Sequence, residues 1–345
     1  MMRIAIVNDM VLALEALRRS VAKKPDWQIA WMARDGDEAV RKCAADTPDM
    51  ILMDLIMPVM NGVEATRQIM QKTPCAILVV TATVEGNMPL VFQAMGHGAL
   101  DAINTPVLGP DGKLSGAAEL EAKINIIGKL INRGKQPSPA LVAMGAAPAD
   151  DRQLPPLFVI GASTGGPAAL MEILSRFPRE LPAAGVIIQH VDVQFAADLA
   201  DWLSSQCRLP VRVAESGCRP ERGIIWLAGT NDHLIMTAAR KLIYRAEPKD
   251  LFYRPSVDVF FHSVAANWTA RGLALILTGM GRDGAEGLLS LRKAGWRTIA
   301  QDRKTSVVFG MPKAAVECGA AEKILPVDRM TEELIAFVAP TDKKG

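Results

Sequence analysis

Cysteine is sparse in this chain and follows no pairing pattern. Five residues are cysteine (Cys43, Cys75, Cys207, Cys218 and Cys318), an odd number with no Cys-x-x-Cys spacing. That argues against a disulfide framework or a metal or redox role, and for reduced, mostly buried thiols in a cytoplasmic protein. Long apolar runs are missing as well: none approaches the ~20 residues that a membrane-spanning helix needs. The first apolar stretch, Ile4 to Val7, ends at Asn8-Asp9 and is too short for a signal peptide. Net charge is only +2, without a dense basic tract, so neither nucleic acid nor an anionic membrane surface is an expected partner. No repeat of solenoid length is present.

What remains is an ordinary globular composition, 50% hydrophobic, in a chain of 345 residues. That length is too great for one typical core and points to two domains. The break falls at 134–156, GKQPSPALVAMGAAPADDRQLPP, where five prolines and little apolar periodicity read as an extended linker. The expected division is a first domain over 1–133 and a second over 157–345.

Both domains read as α/β. In the first, apolar runs at Arg3–Val7, Gln28–Met32, Met50–Met53, Cys75–Thr81 and Ala99–Ile103 alternate with amphipathic stretches such as Met10–Val21 and Asp37–Ala45. In the second, strands are expected near 157–160, 185–189, 223–227, 273–277 and 297–300. Helices are expected near 166–176, 193–205, 256–269, 284–294 and 328–338. Continuous apolar strands alternating with helices predict parallel sheets covered on both faces, with the functional crevice at the strands' carboxyl ends. Asp9, Asp54 and Thr81 stand at predicted strand ends in the first domain, and Ser163, His190 and Asp283 in the second.

Leu157 to Pro167, LFVIGASTGGP, carries the sharpest chemical signal. Gly161-Ala162-Ser163-Thr164-Gly165 is the Gly-x-Ser-x-Gly pattern of a nucleophile elbow, a serine on a tight strand-to-helix turn. Serine needs a base to take its proton, and histidine titrates in the useful range. A carboxylate on the other ring nitrogen then fixes the tautomer. The order Ser163…His190…Asp283 differs from that of α/β-hydrolases, but geometry rather than order defines a triad. Two other readings stand beside this one. Gly161, Gly165 and Gly166 could form a dinucleotide loop, with Asp192 near the acidic position it requires. The chain could also be a signalling adaptor with a vestigial esterase. His97, His233 and His262 read as structural histidines, and Arg254 as a loop cap or a contact to an acidic substrate surface.

GASTGGP, IIQHV at 187–191, RPSVDVFFHS at 254–263 and LTGMGRDGAEG at 277–287, taken together, resemble the protein-glutamate methylesterase of bacterial chemosensory systems. The resemblance implies a serine hydrolase that demethylates glutamate methyl esters on chemoreceptor cytoplasmic helices and deamidates some glutamines, with no cofactor for the esterase. Ser163 would be the nucleophile, His190 the base and Asp283 the orienting acid. The Met280 backbone N–H would sit in the oxyanion hole, and elbow logic adds that of Thr164.

Residues 1–133 similarly resemble a two-component receiver, a flavodoxin-like five-stranded parallel sheet. By that resemblance Asp54 is the phosphoacceptor and Thr81 a contact to the phosphoryl group. Asp9, Asp54 and the Ile56 carbonyl would ligate Mg²⁺, and a chemosensory histidine kinase would be the phosphodonor. Two positions depart from the receiver pattern: Asn8 stands where an acid is usual, and Thr105 replaces the lysine before Pro106. Both imply weaker or differently read phosphorylation. Val7-Asn8-Asp9-Met10 and Asn104-Thr105-Pro106 resemble the Wsp-type branch, which feeds a diguanylate cyclase pathway for surface attachment.

Overall fold

Strand segments buried on both faces dictate the architecture. The computed structural model describes residues 1–109, 114–132, 154–251 and 253–338. Most of the expected linker, 134–153, lies outside the described residues. The chain divides into two compact units, Met1–Gln136 and Pro137–Gly345.

The first unit runs β1 (Met2–Val7), α1 (Val11–Ala22), β2 (Trp27–Ala33), α2 (Gly36–Ala45), β3 (Met50–Met53), α3 (Gly62–Lys72), β4 (Ala76–Thr81), α4 (Met88–Gly96) and β5 (Asp101–Asn104). A small antiparallel pair, β6 (Val107–Leu108) and β7 (Leu114–Ser115), precedes α5 (Ala117–Asn132). The five-stranded sheet has the order β2-β1-β3-β4-β5, all parallel. All four residues of β3, Met-Ile-Leu-Met, are fully buried, as a strand covered by helices on both faces must be. The chain reverses direction across the sheet between β1 and β3. Asp9 and Asp54 follow those two strands, at the switch point where open α/β sheets bind ligands.

The second unit runs β8 (Leu157–Ala162), α6 (Gly166–Leu174), β9 (Ala184–Gln189), α7 (Val193–Gln206), β10 (Val211–Val213), β11 (Ile225–Leu227), β12 (His233–Met236) and β13 (Leu242–Arg245). It continues with α8 (Val257–Asn267), β14 (Gly272–Ile276), α9 (Ala285–Lys293), β15 (Arg297–Gln301), α10 (Met311–Glu317), β16 (Lys323–Leu325) and α11 (Val327–Val338). Seven parallel strands have the order β10-β11-β9-β8-β14-β15-β16, and β12–β13 form a separate hairpin. Every side chain of β8 and β9 is buried. The hairpin packs on α8 through Leu234 and Met236, which share one core with Phe260, Phe261 and Val264. β8 is central, with β9 on one side and β14 on the other, so the switch point lies at the end of β8. Among the described residues no helix is long and apolar enough to cross a membrane.

Candidate active site

Register delivers the three hydrolase candidates to one edge. Ala162 pairs with Gln189 across β8 and β9, so Ser163 and His190 are the next residues on adjacent strands; the His190 N–H donates to the Ala162 carbonyl at 3.0 Å. Asp283 follows β14, which flanks β8 on the other side. The Ser163 N–H donates to the Thr278 carbonyl at 3.1 Å, tying the serine turn to the segment that carries Asp283.

The turn differs from the strained elbow that the motif suggests. Ser163 does not take a positive φ; Gly165 does, at 78°, as the residue capping α6. A Cβ at Gly165 would also stand 2.7 Å from Val307, and one at Gly279 would stand 2.8 Å from the Ser163 Cβ. Glycine is required at both places, at the first for conformation and at both for space.

His190 Nε2 lies 2.8 Å from Asp283 Oδ2. The carboxylate is held by three further contacts from the start of α8. Asp283 Oδ1 accepts from Ser256 Oγ at 2.7 Å and Asp258 N at 3.0 Å, and Oδ2 accepts from Val257 N at 2.7 Å. Ser256 is also the α8 N-cap, bonding Val259 N at 3.3 Å. Full burial pushes the Asp283 carboxyl up, but the His190 bond and charge and these donors outweigh it and hold the group below its ordinary value. An ionised Asp283 places the ring proton on Nε2 and leaves the lone pair on Nδ1. That nitrogen is buried and unpartnered, and no hydrogen bond joins it to Ser163.

Two neighbours, Tyr253 and Asp258, escaped the sequence reading; a third, His233, was expected to be structural. Tyr253 stacks on the His190 ring, centroids 4.2 Å apart and planes 7° from parallel, and its hydroxyl donates to the Met280 carbonyl at 3.3 Å. His233, fully buried, accepts from Ser256 N at 3.1 Å through Nδ1 and donates from Nε2 to the Pro248 carbonyl at 3.0 Å. It therefore positions Ser256 rather than touching the site. Asp258 is a second buried carboxyl on the same helix terminus, accepting from Gly287 N at 2.7 Å. Burial and the neighbouring Asp283 charge raise it well above the ordinary range, whereas Asp283 is held below it.

Thr164 is buried and its carbonyl accepts from Thr278 Oγ1 at 2.9 Å. Among the described residues neither the Thr164 nor the Met280 backbone N–H has a protein acceptor. Asp192, on which the dinucleotide reading depended, instead caps α7 by accepting from Gln194 N.

In the first unit, Asp54 Oδ1 accepts from Leu55 N at 2.7 Å and Oδ2 from Asn8 Nδ2 at 3.0 Å. Asn8 uses its other amide atom as well, Oδ1 accepting from Met10 N at 2.9 Å. Asn8 thus serves as a donor to the carboxylate where an acid would add charge. Burial raises the Asp54 carboxyl to about 6 against the Leu55 and Ile56 N–H bonds, and the Asp9 charge adds to the rise. Thr81 Oγ1 accepts from Asn87 Nδ2 at 3.1 Å, leaving its own O–H to donate. The buried Thr105 hydroxyl oxygen has no partner.

A CheB methylesterase family profile matches residues 158–334, and a response regulator receiver domain profile matches residues 4–111. The chain belongs to the CheB methylesterase family. It is 53% identical over 339 residues to protein-glutamate methylesterase/protein-glutamine glutaminase 1 of Bordetella avium, covering 98% of both chains. To protein-glutamate methylesterase/protein-glutamine glutaminase 3 of Pseudomonas aeruginosa it is 52% identical over 337 residues, covering 96% of this chain and 98% of the relative. The crystal structure of the Thermotoga maritima CheB methylesterase catalytic domain superposes with a TM-score of 0.51 at 37% identity, over 53% of this chain and 98% of that one. The family assignment displaces the nucleotide-binding reading.

Proposed function

We propose that Ser163, His190 and Asp283 form the triad of a serine hydrolase acting on glutamate methyl esters, and on some glutamines, of methyl-accepting chemoreceptors. The observation that carries this is the 2.8 Å contact between His190 and a buried Asp283, one strand from Ser163. The names of the relatives supply the substrate class.

Ser163 Oγ gives its proton to His190 Nδ1 and attacks the ester carbonyl. The oxyanion is met by the Met280 and Thr164 N–H groups, donors aimed where negative charge develops. His190 returns the proton to the departing methoxide, releasing methanol. A water activated by the same nitrogen then hydrolyses the acyl-enzyme. For glutamine the leaving group is ammonia. Asp283 stays ionised throughout, stabilising the imidazolium from the positive end of α8.

Phosphorylation of the receiver regulates this activity, with Asp54 as acceptor, Thr81 donating to the phosphoryl group and a chemosensory histidine kinase as donor. The oxygen donors present suit Mg²⁺, which binds through one or two carboxylates and retains waters. Asp9, Asp54 and the Ile56 carbonyl would hold it, where it would neutralise charge during transfer. The Wsp-type branch is supported by the Val7–Met10 and Asn104–Pro106 segments; deleting the gene should then change cellular cyclic di-GMP. Methanol release from methylated receptor, with and without phosphodonor, tests the whole reading. Wild-type release by Ser163→Ala would overturn it.

A further inference from the structure

The β8–β9 ladder ends one residue short of the chemistry. Ala162 and Gln189 are its last pair, and Ser163 and His190 follow them on adjacent strands. Gln189 is fully buried, and its side chain takes over where the ladder stops. Its Nε2 donates to the Ser163 carbonyl at 2.9 Å and to the His190 carbonyl at 3.1 Å. Both protons of one amide nitrogen are used on the main chains of these two residues, and the two carbonyl acceptors fix which end of the carboxamide faces them. The His190 N–H bond to the Ala162 carbonyl and the Gly166 N–H bond to the Ser163 carbonyl, at 2.8 Å, complete the frame.

The other end of the carboxamide is unmatched: Gln189 Oε1 is buried without a hydrogen bond. Gln301, buried at the end of β15, differs. It accepts from Thr278 N at 2.7 Å through Oε1 and donates to the Thr305 carbonyl at 2.9 Å through Nε2. A buried acceptor left unmatched opposes folding, so packing alone would favour an apolar side chain of the same size at Gln189. The serine turn is also shaped around this group. A Cβ at Gly166 would stand 2.0 Å from Gln189 Oε1, and Gly166 takes no positive φ, so glycine is needed there for space alone.

We propose that Gln189 is a positioning residue of the hydrolase, whose carboxamide clamps the Ser163 and His190 carbonyls and so sets the approach of the serine hydroxyl to the histidine ring. The inference rests on Ser163 and His190 being nucleophile and base. No hydrogen bond joins His190 Nδ1 to Ser163, so proton transfer needs the serine side chain to turn toward the ring from a main chain held in place. Gln189 reaches only main-chain atoms of the pair and acts through them. Loosening the clamp lets nucleophile and base drift apart, and a small misplacement of reacting groups lowers rate rather than binding. The loss therefore belongs in kcat and not in KM.

The test is initial rates of methanol release from methylated receptor by the full chain, read beside unfolding midpoints. Gln189→Met keeps the length of the side chain without its donors. Its kcat should fall about 10- to 100-fold, with KM within about twofold of wild type and unfolding still cooperative. Gln189→Ala should lower both kcat and the midpoint, because it also leaves a cavity. Adding Gly166→Ala places a methyl against the vacated Oε1 position. The Gly166→Ala/Gln189→Ala pair should then recover part of the midpoint and none of the kcat. Recovery of kcat along with the midpoint, wild-type kcat in Gln189→Met, or a change in KM alone would overturn the clamp. Ser163→Ala in the same assay keeps the two readings apart. Loss of release by Ser163→Ala beside an unaffected Gln189→Met sinks the clamp alone, and wild-type release by Ser163→Ala sinks the triad with it.

Discussion

His190 is the residue on which the site turns. Its ring is held at Nε2 by Asp283, on one face by Tyr253, and through its backbone N–H by Ala162. Ser163→Ala and His190→Ala should each lower methanol release by about 10³-fold or more, and the double variant should fall little further because triad members act as a unit. Additive losses in a four-way comparison of initial rates would break the assignment. Tyr253 holds the ring without reacting. Tyr253→Phe keeps the stack and should stay close to wild type, whereas Tyr253→Ala should lose about 5-fold in kcat, the rate equivalent of an aromatic pair contributing about 1 kcal/mol. A shift in KM alone would instead place Tyr253 in substrate binding. None of this could be read from spacing, because Tyr253 lies 63 positions from His190.

The decisive element is α8, whose first turn receives two carboxyls. Asp283 takes the N–H bonds of the turn and the His190 contact and is held below its ordinary value; for Asp258, burial and the neighbouring Asp283 charge outweigh the Gly287 N–H bond and raise it. The sign for stability follows from the raised value of Asp258. Its favourable contribution is complete below the unfolded value near 4 and is lost progressively as pH rises toward the higher folded value. Asp258→Asn keeps the acceptor for Gly287 N and cannot ionise. Its stability should be flatter than wild type from pH 5 to 9 in urea titrations; an identical pH slope would show that Asp258 does not hold a proton. In the receiver, β1 and β3 bring together Asp9 and Asp54, and Asp54 is raised to about 6. At the proposed site Mg²⁺ would displace that proton, so its affinity should fall about 10-fold per pH unit below about 6 and level off above it. Calorimetric titration across pH 5 to 8 would measure this. The element reading itself was partial. The long buried strands were legible as apolar runs. The three-residue β10 and β16, the hairpin β12–β13 and the seven-residue α10 were not, because segments so short carry too little periodicity.

For the whole molecule, two sheets with their functional edges at two switch points make one switchable enzyme. Phosphodonor should raise methanol release by wild type and leave Asp54→Asn at its basal rate. Removing 1–133 should give an activity that no longer responds to phosphodonor and exceeds that of the unphosphorylated full chain. Thr105→Lys supplies a cation next to the acceptor, where charge-assisted contacts are the stronger kind, and should increase the response to phosphodonor. An unchanged response would show that this receiver works without a lysine contact.

Composition and apolar runs were enough to establish two α/β units, and motif order was enough to reach the family, because buried parallel strands and reactive turns leave local signatures. Asp54, Ser163, His190 and Asp283 were visible for that reason, each standing just past an apolar run. Tertiary structure alone decided that Asn8 donates to Asp54, that Gly165 rather than Ser163 takes the left-handed turn, and that Asp283 is bound by α8. It also decided that Tyr253 clamps His190. Apart from the Gly165 turn, each of these is a contact between residues far apart in the chain, set by strand order and register, which no local pattern of side chains encodes.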